Sequence, residues 1–233
     1  MPCHPAMTTA PSTSSDTGHR IFIVDDHPLV RECLASLIHN QPDLRVCGEA
    51  ETAAEALAGI ISAQPDVAVV DLSLKGELAL QLIKDLQALQ PAPAVVVLSM
   101  HDEAFYAERA LRNGARGYVT KREATSKVIE AIRAVMIGRL FISPSLATQL
   151  AEKLVGGGEF STASPIAGLS DRELEVFDLL GQGWESRRIA AKLQIGAKTV
   201  QSYCERIKEK LGLENSAALR RAAVRWVEVE RER

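Results

Sequence analysis

The sequence predicts an α/β domain with a doubly wound, five-stranded parallel sheet, followed by a small all-α domain of four helices. From Arg20 to about Ile142, short continuous runs of valine, isoleucine and leucine alternate with helical periods. Strands that alternate with helices form right-handed crossovers and a parallel sheet covered on both faces, and such a sheet requires continuous apolar strands. From Leu169 onward the apolar residues follow only the helical period, so the second domain is predicted to be helical.

The elements of the first domain follow in order along the chain. Strands are predicted at 21–24, 44–48, 67–70, 95–98 and 116–119, and helices at 27–40, 52–63, 77–90, 103–114 and 124–138. The helices of the second domain are predicted at 171–182, 186–193, 197–211 and 216–229. Ser170 and Glu173 form a capping-box pattern that marks the start of this second set.

The chain of 233 residues is long enough for two domains and the segments that join them. We predict a disordered tail at 1–18, the α/β domain at 19–142, a linker at 143–168 and the helical domain at 169–233. The tail is rich in proline, serine and threonine. In the linker, Ser143 and Pro144 open a helix with Leu146, Leu150 and Leu154 on one face, and the glycines at 156–158 end it.

The composition excludes a polycationic chain, because 27 basic against 30 acidic residues give a net charge of -3. The segment 169–233 differs, since its 13 basic and 11 acidic residues leave it at +2. The four cysteines show no paired or metal-ligand spacing, which favours free thiols in a reducing compartment. No apolar stretch has the length of a membrane helix and no signal pattern precedes the first domain, so we expect a cytoplasmic protein without a membrane partner.

Five polar residues follow strand-like runs of the first domain: Asp25, Asp26, Asp71, Ser99 and Lys121. The carboxyl ends of parallel strands share one edge of the sheet, where ligands bind. Three carboxylates, a hydroxyl and an ammonium at one edge suit a divalent cation and a transferable phosphoryl group. Taken singly, an Asp-Asp pair before a helix is often an N-cap and a lysine after a strand is often a surface charge. The ordered set of five is more specific than any of its members.

The chemistry of this set predicts a role for each residue. Mg²⁺ prefers a few carboxylate oxygens with water and phosphate oxygens, so Asp26 and Asp71 are candidate direct ligands, with Asp25 bound directly or through water. The Asp71 carboxylate can also accept a phosphoryl group as an acyl phosphate. Lys121 would then pair with a phosphoryl oxygen and the Ser99 hydroxyl would donate to another.

The segment 20–142 resembles the receiver domain of two-component response regulators, which has a flavodoxin/CheY-like fold. The matching motifs are VDD at 24–26, VVDLSL at 69–74, VLSMH at 97–101 and GYVTK at 117–121. The resemblance implies phosphorylation of Asp71, Mg²⁺ held by Asp25 and Asp26 with the Ser73 carbonyl, and Ser99, Tyr118 and Lys121 as switch residues. Lys75 and Ala79 depart from the family, which often carries proline and glycine there.

The segment 184–211 has the pattern of a helix, a short turn and a second helix. The second helix keeps Val200 and Ile207 inward and leaves a polar face that fits the major groove of DNA. The candidate DNA-binding residues of this face are Lys198, Thr199, Gln201, Ser202, Arg206 and Lys208. The alternative is a solvated amphipathic helix, because Glu205 and Glu209 dilute the basic face.

The segment 169–213 closely resembles the LuxR-type helix-turn-helix domain of NarL/FixJ response regulators. The resemblance implies that 197–210 is the recognition helix and that the last helix pairs two subunits. Its apolar face would consist of Leu219, Ala222, Ala223 and Trp226, which could equally form intramolecular core. Tyr203 and Gly196 depart from the family pattern, as do Gln201 and Glu205.

Together the two resemblances imply a DNA-binding transcriptional response regulator rather than an enzyme. A sensor histidine kinase would phosphorylate Asp71, and a homodimer would bind double-stranded DNA. Two alternatives stay open: a DNA-binding regulator that is independent of phosphorylation, and a signalling module whose output helices bind protein. A metal-dependent phosphohydrolase is a remote third, since the sequence offers no separate general base or substrate pocket.

Overall fold

The computed structural model describes residues 18–100, 103–155 and 165–232 of the chain. Its strands are β1 (His19–Val24), β2 (Leu44–Ala50), β3 (Val67–Asp71), β4 (Ser73–Leu74), β5 (Glu77–Leu78), β6 (Ala94–Ser99) and β7 (Gly117–Thr120). Five of them form one parallel sheet in the order β2-β1-β3-β6-β7. This order reverses direction between β1 and β3, as in flavodoxin-like folds, and confirms the predicted doubly wound sheet.

Two layers of helices cover this sheet. The helices of the first domain are α1 (Pro28–His39), α2 (Ala53–Ala63), α3 (Leu80–Gln87), α4 (Glu103–Arg112) and α5 (Ala124–Met136). Side chains alternate along each strand, so Ile21 and Ile23 pack with α1 and α5, whereas Phe22 and Val24 pack with α2, α3 and α4. All five residues of β3 are buried, as expected for a central strand covered on both faces.

The predicted helix 77–90 is wrong at its start, because α3 begins only at Leu80. The preceding residues form an antiparallel hairpin in which β4 pairs with β5. Lys75 and Gly76 turn this hairpin with positive φ angles of 47° and 80°. Glu77 and Leu78 are held by their pairing with Leu74 and Ser73, so the helix begins only after this hairpin.

The second domain is all helical, as predicted. After α6 (Pro144–Val155) and a short 3₁₀ turn (Pro165–Gly168) come α7 (Asp171–Gly181), α8 (Ser186–Lys192), α9 (Ala197–Leu211) and α10 (Ser216–Glu232). Ser170 and Glu173 form the predicted capping box at the start of α7. Leu146 on α6 is buried and Leu150 is partly buried, whereas Leu154, the glycines at 156–158 and the tail up to residue 17 lie outside the described side chains.

The two domains contact each other through two polar clusters. On α4, Arg109 donates to the Asp171 carboxylate at 2.9 Å and to the Leu169 carbonyl at 2.8 Å. On α8, the Lys192 ammonium donates to the Lys75 carbonyl at 2.9 Å and lies 3.2 Å from Glu77. Among the helices of the described residues, none is both long enough and apolar enough to span a bilayer.

Candidate functional site

The five polar residues singled out in the sequence lie together at one edge of the sheet. Asp71 and Ser99 are the last residues of β3 and β6, while Asp25 and Lys121 directly follow β1 and β7. These four strands are parallel neighbours, so their carboxyl ends meet. Asp25, Asp71 and Ser99 are buried, with relative exposures of 0%, 3% and 0%. Asp26 completes the set, with a side chain that is 15% exposed.

The Lys121 ammonium joins two of the carboxylates. Its Nζ lies 2.7 Å from Asp71 Oδ2 and 2.8 Å from Asp25 Oδ2. The Lys121 backbone N–H donates to the Ser99 carbonyl at 2.7 Å, which ties the β6 and β7 ends together. The pocket therefore contains one fixed positive charge between two buried carboxylates.

Burial and charge act against each other at this pocket. Burial raises the pKa of Asp71 to about 6, although the Lys121 ammonium favours the ionised form. Burial alone would lower the pKa of Lys121, but the Asp71 and Asp25 carboxylates outweigh it and raise the pKa above its ordinary value. At neutral pH the site therefore presents a desolvated carboxylate next to a charged ammonium, a suitable arrangement for accepting a phosphoryl group.

The donor set of the pocket fits a divalent cation. One ligand atom from each of Asp25, Asp26, His27 and Asp71 lies within 4.8 Å of the others. Asp26 Oδ2 accepts the Lys75 backbone N–H at 2.8 Å, and Asp26 Oδ1 lies 2.8 Å from the His27 ring nitrogen Nδ1. Carboxylate oxygens are the ligands that Mg²⁺ prefers. Ser73 adjoins this set, since its backbone N–H donates to Asp71 Oδ1 at 3.3 Å.

The two remaining candidate switch residues are both buried. Ser99 is enclosed at the end of β6, and Tyr118 on β7 is 2% exposed in the core shared with α2, α3 and α4. Tyr118 pairs with Val97 across the ladder, two residues before Ser99. Ser99 is therefore close to Tyr118, which packs in the same core as the buried residues of α4.

Sequence reasoning missed two neighbours of the pocket. One is His27, whose ring nitrogen Nδ1 lies 2.8 Å from Asp26 Oδ1. Lys75 was noted only as a departure from the family, yet its backbone N–H holds Asp26. The position of His27 directly after Asp25 and Asp26 could have indicated that it lies beside the pocket. No sequence signal marked Lys75, because its contact depends on the turn of the hairpin.

The predicted DNA-binding face lies on the outside of α9. Lys198, Thr199, Gln201, Ser202 and Arg206 are exposed, while Lys208 is partly buried. Val200 and Ile207 are fully buried beneath them. The Lys208 ammonium lies 2.8 Å from Glu205, so this acidic residue neutralises one of the lysines. Among the described residues the polar face is thus largely exposed but only mildly basic.

The apolar face of α10 that was predicted to pair two subunits is largely covered by the chain itself. Leu219 and Ala223 are 2% and 0% exposed, and Ala223 lies so close to α7 that a Cβ at Gly181 would be 2.4 Å from its carbonyl oxygen. These two residues therefore belong to the intramolecular core, the alternative that the sequence left open. Ala222 and Trp226 are partly buried against the same core.

Comparison with protein families gives two matches that together cover most of the described chain. Residues 21–133 match the response regulator receiver domain, and residues 167–223 match the bacterial regulatory proteins of the luxR family. The chain belongs to the two-component response regulators of the NarL/FixJ type, as the resemblances in the sequence predicted. Proteins of this class are DNA-binding transcriptional response regulators.

Individual relatives align with most of the length of this chain. The DNA-binding transcriptional activator DevR/DosR of Mycobacterium tuberculosis is 36% identical over 92% of this chain and 96% of its own length. The oxygen regulatory protein NreC of Staphylococcus carnosus is 34% identical over 86% of this chain and 94% of its own length. A structure of RcsB from Salmonella enterica serovar Typhimurium, bound to a promoter with the phosphomimetic BeF₃⁻, has a TM-score of 0.65. It is 27% identical and covers 88% of this chain and 98% of its own.

Proposed function

We propose that a sensor histidine kinase phosphorylates Asp71 and that this modification controls the binding of α9 to DNA. One observation carries the proposal: the buried Asp71 carboxylate lies 2.7 Å from the Lys121 ammonium, beside two further carboxylates at the same sheet edge. This is the arrangement that phosphoryl transfer requires, since it positions a nucleophile and a counter-charge for the incoming group.

The transfer itself is a displacement at phosphorus. A carboxylate oxygen of Asp71 forms the new P–O bond while the P–N bond to the kinase histidine breaks, and the imidazole leaves with the electron pair and takes a proton from solvent. Asp25, Asp26, Asp71 and the Ser73 carbonyl would hold Mg²⁺, which when bound neutralises charge on the phosphoryl oxygens. The Lys121 ammonium then pairs with a phosphoryl oxygen, and the Ser99 hydroxyl donates to another.

The switch follows from the change in charge. Phosphorylation replaces the single negative charge of the Asp71 carboxylate with the about -1.5 to -2 charges of a phosphoryl group next to Lys121, whose ammonium is shared between Asp71 and Asp25 in the unmodified chain. Movement of Ser99 toward the phosphoryl group changes the packing near Tyr118 and so the surface of α4, which carries the Arg109 contact to α7. The altered contact between the domains is the signal that reaches the helix-turn-helix.

The output is recognition of DNA by the exposed face of α9. Lys198, Thr199, Gln201 and Ser202 on the early turns would reach base edges, and Arg206 and Lys208 would contact phosphates. Two copies of the chain would read two half-sites about one DNA turn apart. Because Leu219 and Ala223 are buried within their own domain, pairing would use the exposed side of α10, where Val224 and Val229 lie.

Enrichment of DNA from a random pool tests the whole proposal in one experiment. The full-length protein is mixed with the pool with and without beryllofluoride and Mg²⁺, and the Asp71→Asn variant serves as the matched control. We expect a two-fold site to be enriched chiefly with the phosphoryl mimic, and only in the wild type. Equal enrichment in both conditions would contradict the control by Asp71 but keep the DNA function.

A second output is favoured by one observation, the low positive charge of α9. Glu205 and Glu209 lie on the exposed side of this helix, and Glu205 neutralises Lys208. If the random pool yields no enriched site under either condition, a protein partner for the output helices becomes the better explanation. In either case we propose no turnover of a separate substrate by this chain.

A further inference from the structure

We propose that Lys192 on α8 is a positioning residue of the phosphorylation pocket, on which it acts through the β4–β5 hairpin. Docking of the helical domain restrains the pocket, and occupation of the pocket loosens the docking. This inference rests on the proposed function, because it concerns the control of phosphorylation at Asp71. It assigns to the hairpin a path between the domains that is separate from the Arg109 contact of α4.

The turn of the hairpin is hydrogen bonded to the acidic pocket. The Lys75 backbone N–H donates to Asp26 Oδ2 at 2.8 Å, and the Lys75 ammonium donates to Glu51 at 3.2 Å. Proline, which the receiver family often carries here, has no N–H that could hold Asp26. The lysine at this position therefore permits a contact to the pocket that a proline excludes.

The same turn also contacts the helical domain. The Lys192 ammonium donates to the Lys75 carbonyl at 2.9 Å and lies 3.2 Å from Glu77 Oε1. Gly76, between them, lies against the C-cap residue of α7, because a Cβ at Gly76 would be 3.1 Å from Gln182 Oε1. Lys75 thus donates to the pocket with its N–H and accepts from the helical domain with its carbonyl.

The Lys192 side chain is fixed in this contact. It is 19% exposed and the Glu77 side chain is 28% exposed, so salt screens this ion pair less than one at the open surface. The ammonium also lies 5.4 Å from the centre of the Trp184 ring, within the range of a cation–π contact. Because groups of both domains surround the ammonium, a shift of the hairpin either displaces α8 or breaks these contacts.

The sign of the coupling follows from thermodynamic linkage. A phosphoryl group on Asp71 places new oxygens and charge beside Asp26, which the Lys75 N–H holds in the unmodified chain. The proposed function states that phosphorylation alters the contact between the domains. Any contact that the occupied pocket weakens must in turn weaken occupation of the pocket, by the same factor. Loss of the Lys192 contact therefore strengthens the binding of a phosphoryl mimic.

Calorimetric titration of the full-length protein with beryllofluoride, in a fixed excess of MgCl₂, tests this coupling. We expect Lys192→Met to lower the dissociation constant of beryllofluoride about fivefold, at the lower end of typical coupling factors. Glu77→Gln leaves the Lys75 carbonyl in place and is expected to lower the constant by a smaller factor. The double variant is expected to match Lys192→Met alone, because Glu77 acts through Lys192. Arg187→Met on α8 and Glu130→Gln on α5, both exposed, are the controls and are expected to keep the wild-type constant.

The outcomes separate this inference from the proposed function. If the wild type binds beryllofluoride and both variants bind it equally well or more weakly, the role of Lys192 is overturned while the phosphorylation site stands. Glu77→Gln leaves the sequence of the helical domain unchanged, so it decides the outcome if Lys192→Met does not fold. Failure of the wild type to bind beryllofluoride would overturn the phosphorylation site itself and this inference with it.

Discussion

The acidic edge of the receiver domain and the polar face of α9 differ in the burial of their side chains and in the contacts that hold these side chains in place. At the acidic edge, Asp25 and Asp71 are buried, and the Lys121 ammonium lies 2.8 Å from the first carboxylate and 2.7 Å from the second. On α9, Lys198 and Arg206 are exposed on the side of the helix that faces away from the buried Val200 and Ile207. The first site is organised before any ligand arrives, whereas the proposed DNA-binding face consists of exposed side chains.

This difference predicts different responses to substitution. In a preorganised site each group has a role that no neighbour can supply, so a single change is expected to abolish the reaction. On an exposed helix face the contacts are many and individually modest, so a single change is expected to reduce binding by degrees.

The largest effect is expected for Asp71→Asn. An amide nitrogen or oxygen does not replace the carboxylate as acceptor, so incorporation of phosphate from acetyl phosphate or a kinase is expected to be lost completely. Mass spectrometry of the intact protein, or a gel that retards phosphoproteins, measures it. The matched control is Asp85→Asn on α3, whose carboxylate accepts a hydrogen bond from Gln81 at 2.7 Å and lies outside the pocket. Phosphorylation of an aspartate in the Asp71→Asn variant at the wild-type level would contradict the assignment.

A smaller, graded effect is expected for Lys198→Ala and Arg206→Ala. Each removes one cation from the exposed face of α9, so each is expected to weaken DNA binding and to reduce the dependence of the binding constant on salt by about one unit of slope. Fluorescence anisotropy at several salt concentrations gives both quantities. Lys127→Ala on α5 is the control, because this lysine pairs with Glu123, the N-cap residue of the same helix. Unchanged binding by both α9 variants would argue against the proposed docking of this helix.

The acidic edge could be predicted from sequence because its residues are fixed by topology. Asp25, Asp71, Ser99 and Lys121 each come directly at the end of an apolar strand, and parallel strands can bring those ends only to one edge. The hairpin after Asp71 could not be predicted in the same way. Leu78 and Leu82 are four positions apart, the spacing of a helical face, and only the pairing of Leu78 with Ser73 shows that Leu78 belongs to a hairpin.

The contacts between elements distant in sequence escaped prediction for a different reason. Arg109 and Asp171 are separated by 62 positions, and no periodicity relates them. Leu219 and Ala223 have a helical spacing that predicts a buried face but not its partner, which is α7 of the same chain. Periodicity identifies which side of a helix is buried. Only the packing of the folded chain determines which element buries it.

The contact between the receiver domain and the helical domain, made by Arg109 on α4, provides the third prediction. Arg109 is 13% exposed and donates to both the Asp171 carboxylate and the Leu169 carbonyl, so Arg109→Ala removes charge-assisted hydrogen bonds worth about 1.5–3 kcal/mol. We expect the domains to separate, which small-angle X-ray scattering detects as a larger radius of gyration. Arg112→Ala, three residues further along α4 with a side chain that is 70% exposed, is the matched control. A radius that is the same for all three proteins would show that this contact does not hold the domains together.

The smallest effect is expected for the ion pair between Glu173 and Lys210, which joins α7 to α9 at 2.6 Å. Burial alone would raise the pKa of Glu173, but the Lys210 ammonium and the Ser170 backbone N–H outweigh it and hold the pKa below its ordinary value of 4.5. A carboxyl group whose pKa is lower in the folded state stabilises the fold above its unfolded pKa and loses this effect as the pH falls through the folded pKa.

Glu173→Gln isolates the ion pair, because glutamine can still complete the capping box with Ser170. We expect it to lower the free energy of unfolding by about 1 kcal/mol at pH 7, with a difference from the wild type that shrinks as the pH falls below 4.5. Both tryptophans of the chain, Trp184 and Trp226, lie in the helical domain, so their fluorescence during urea unfolding reports on this domain alone. Glu209→Gln, at an exposed position of α9, is the control. A difference between Glu173→Gln and the wild type that is independent of pH would show that packing of the side chain, and not its charge, holds α7 against the recognition helix.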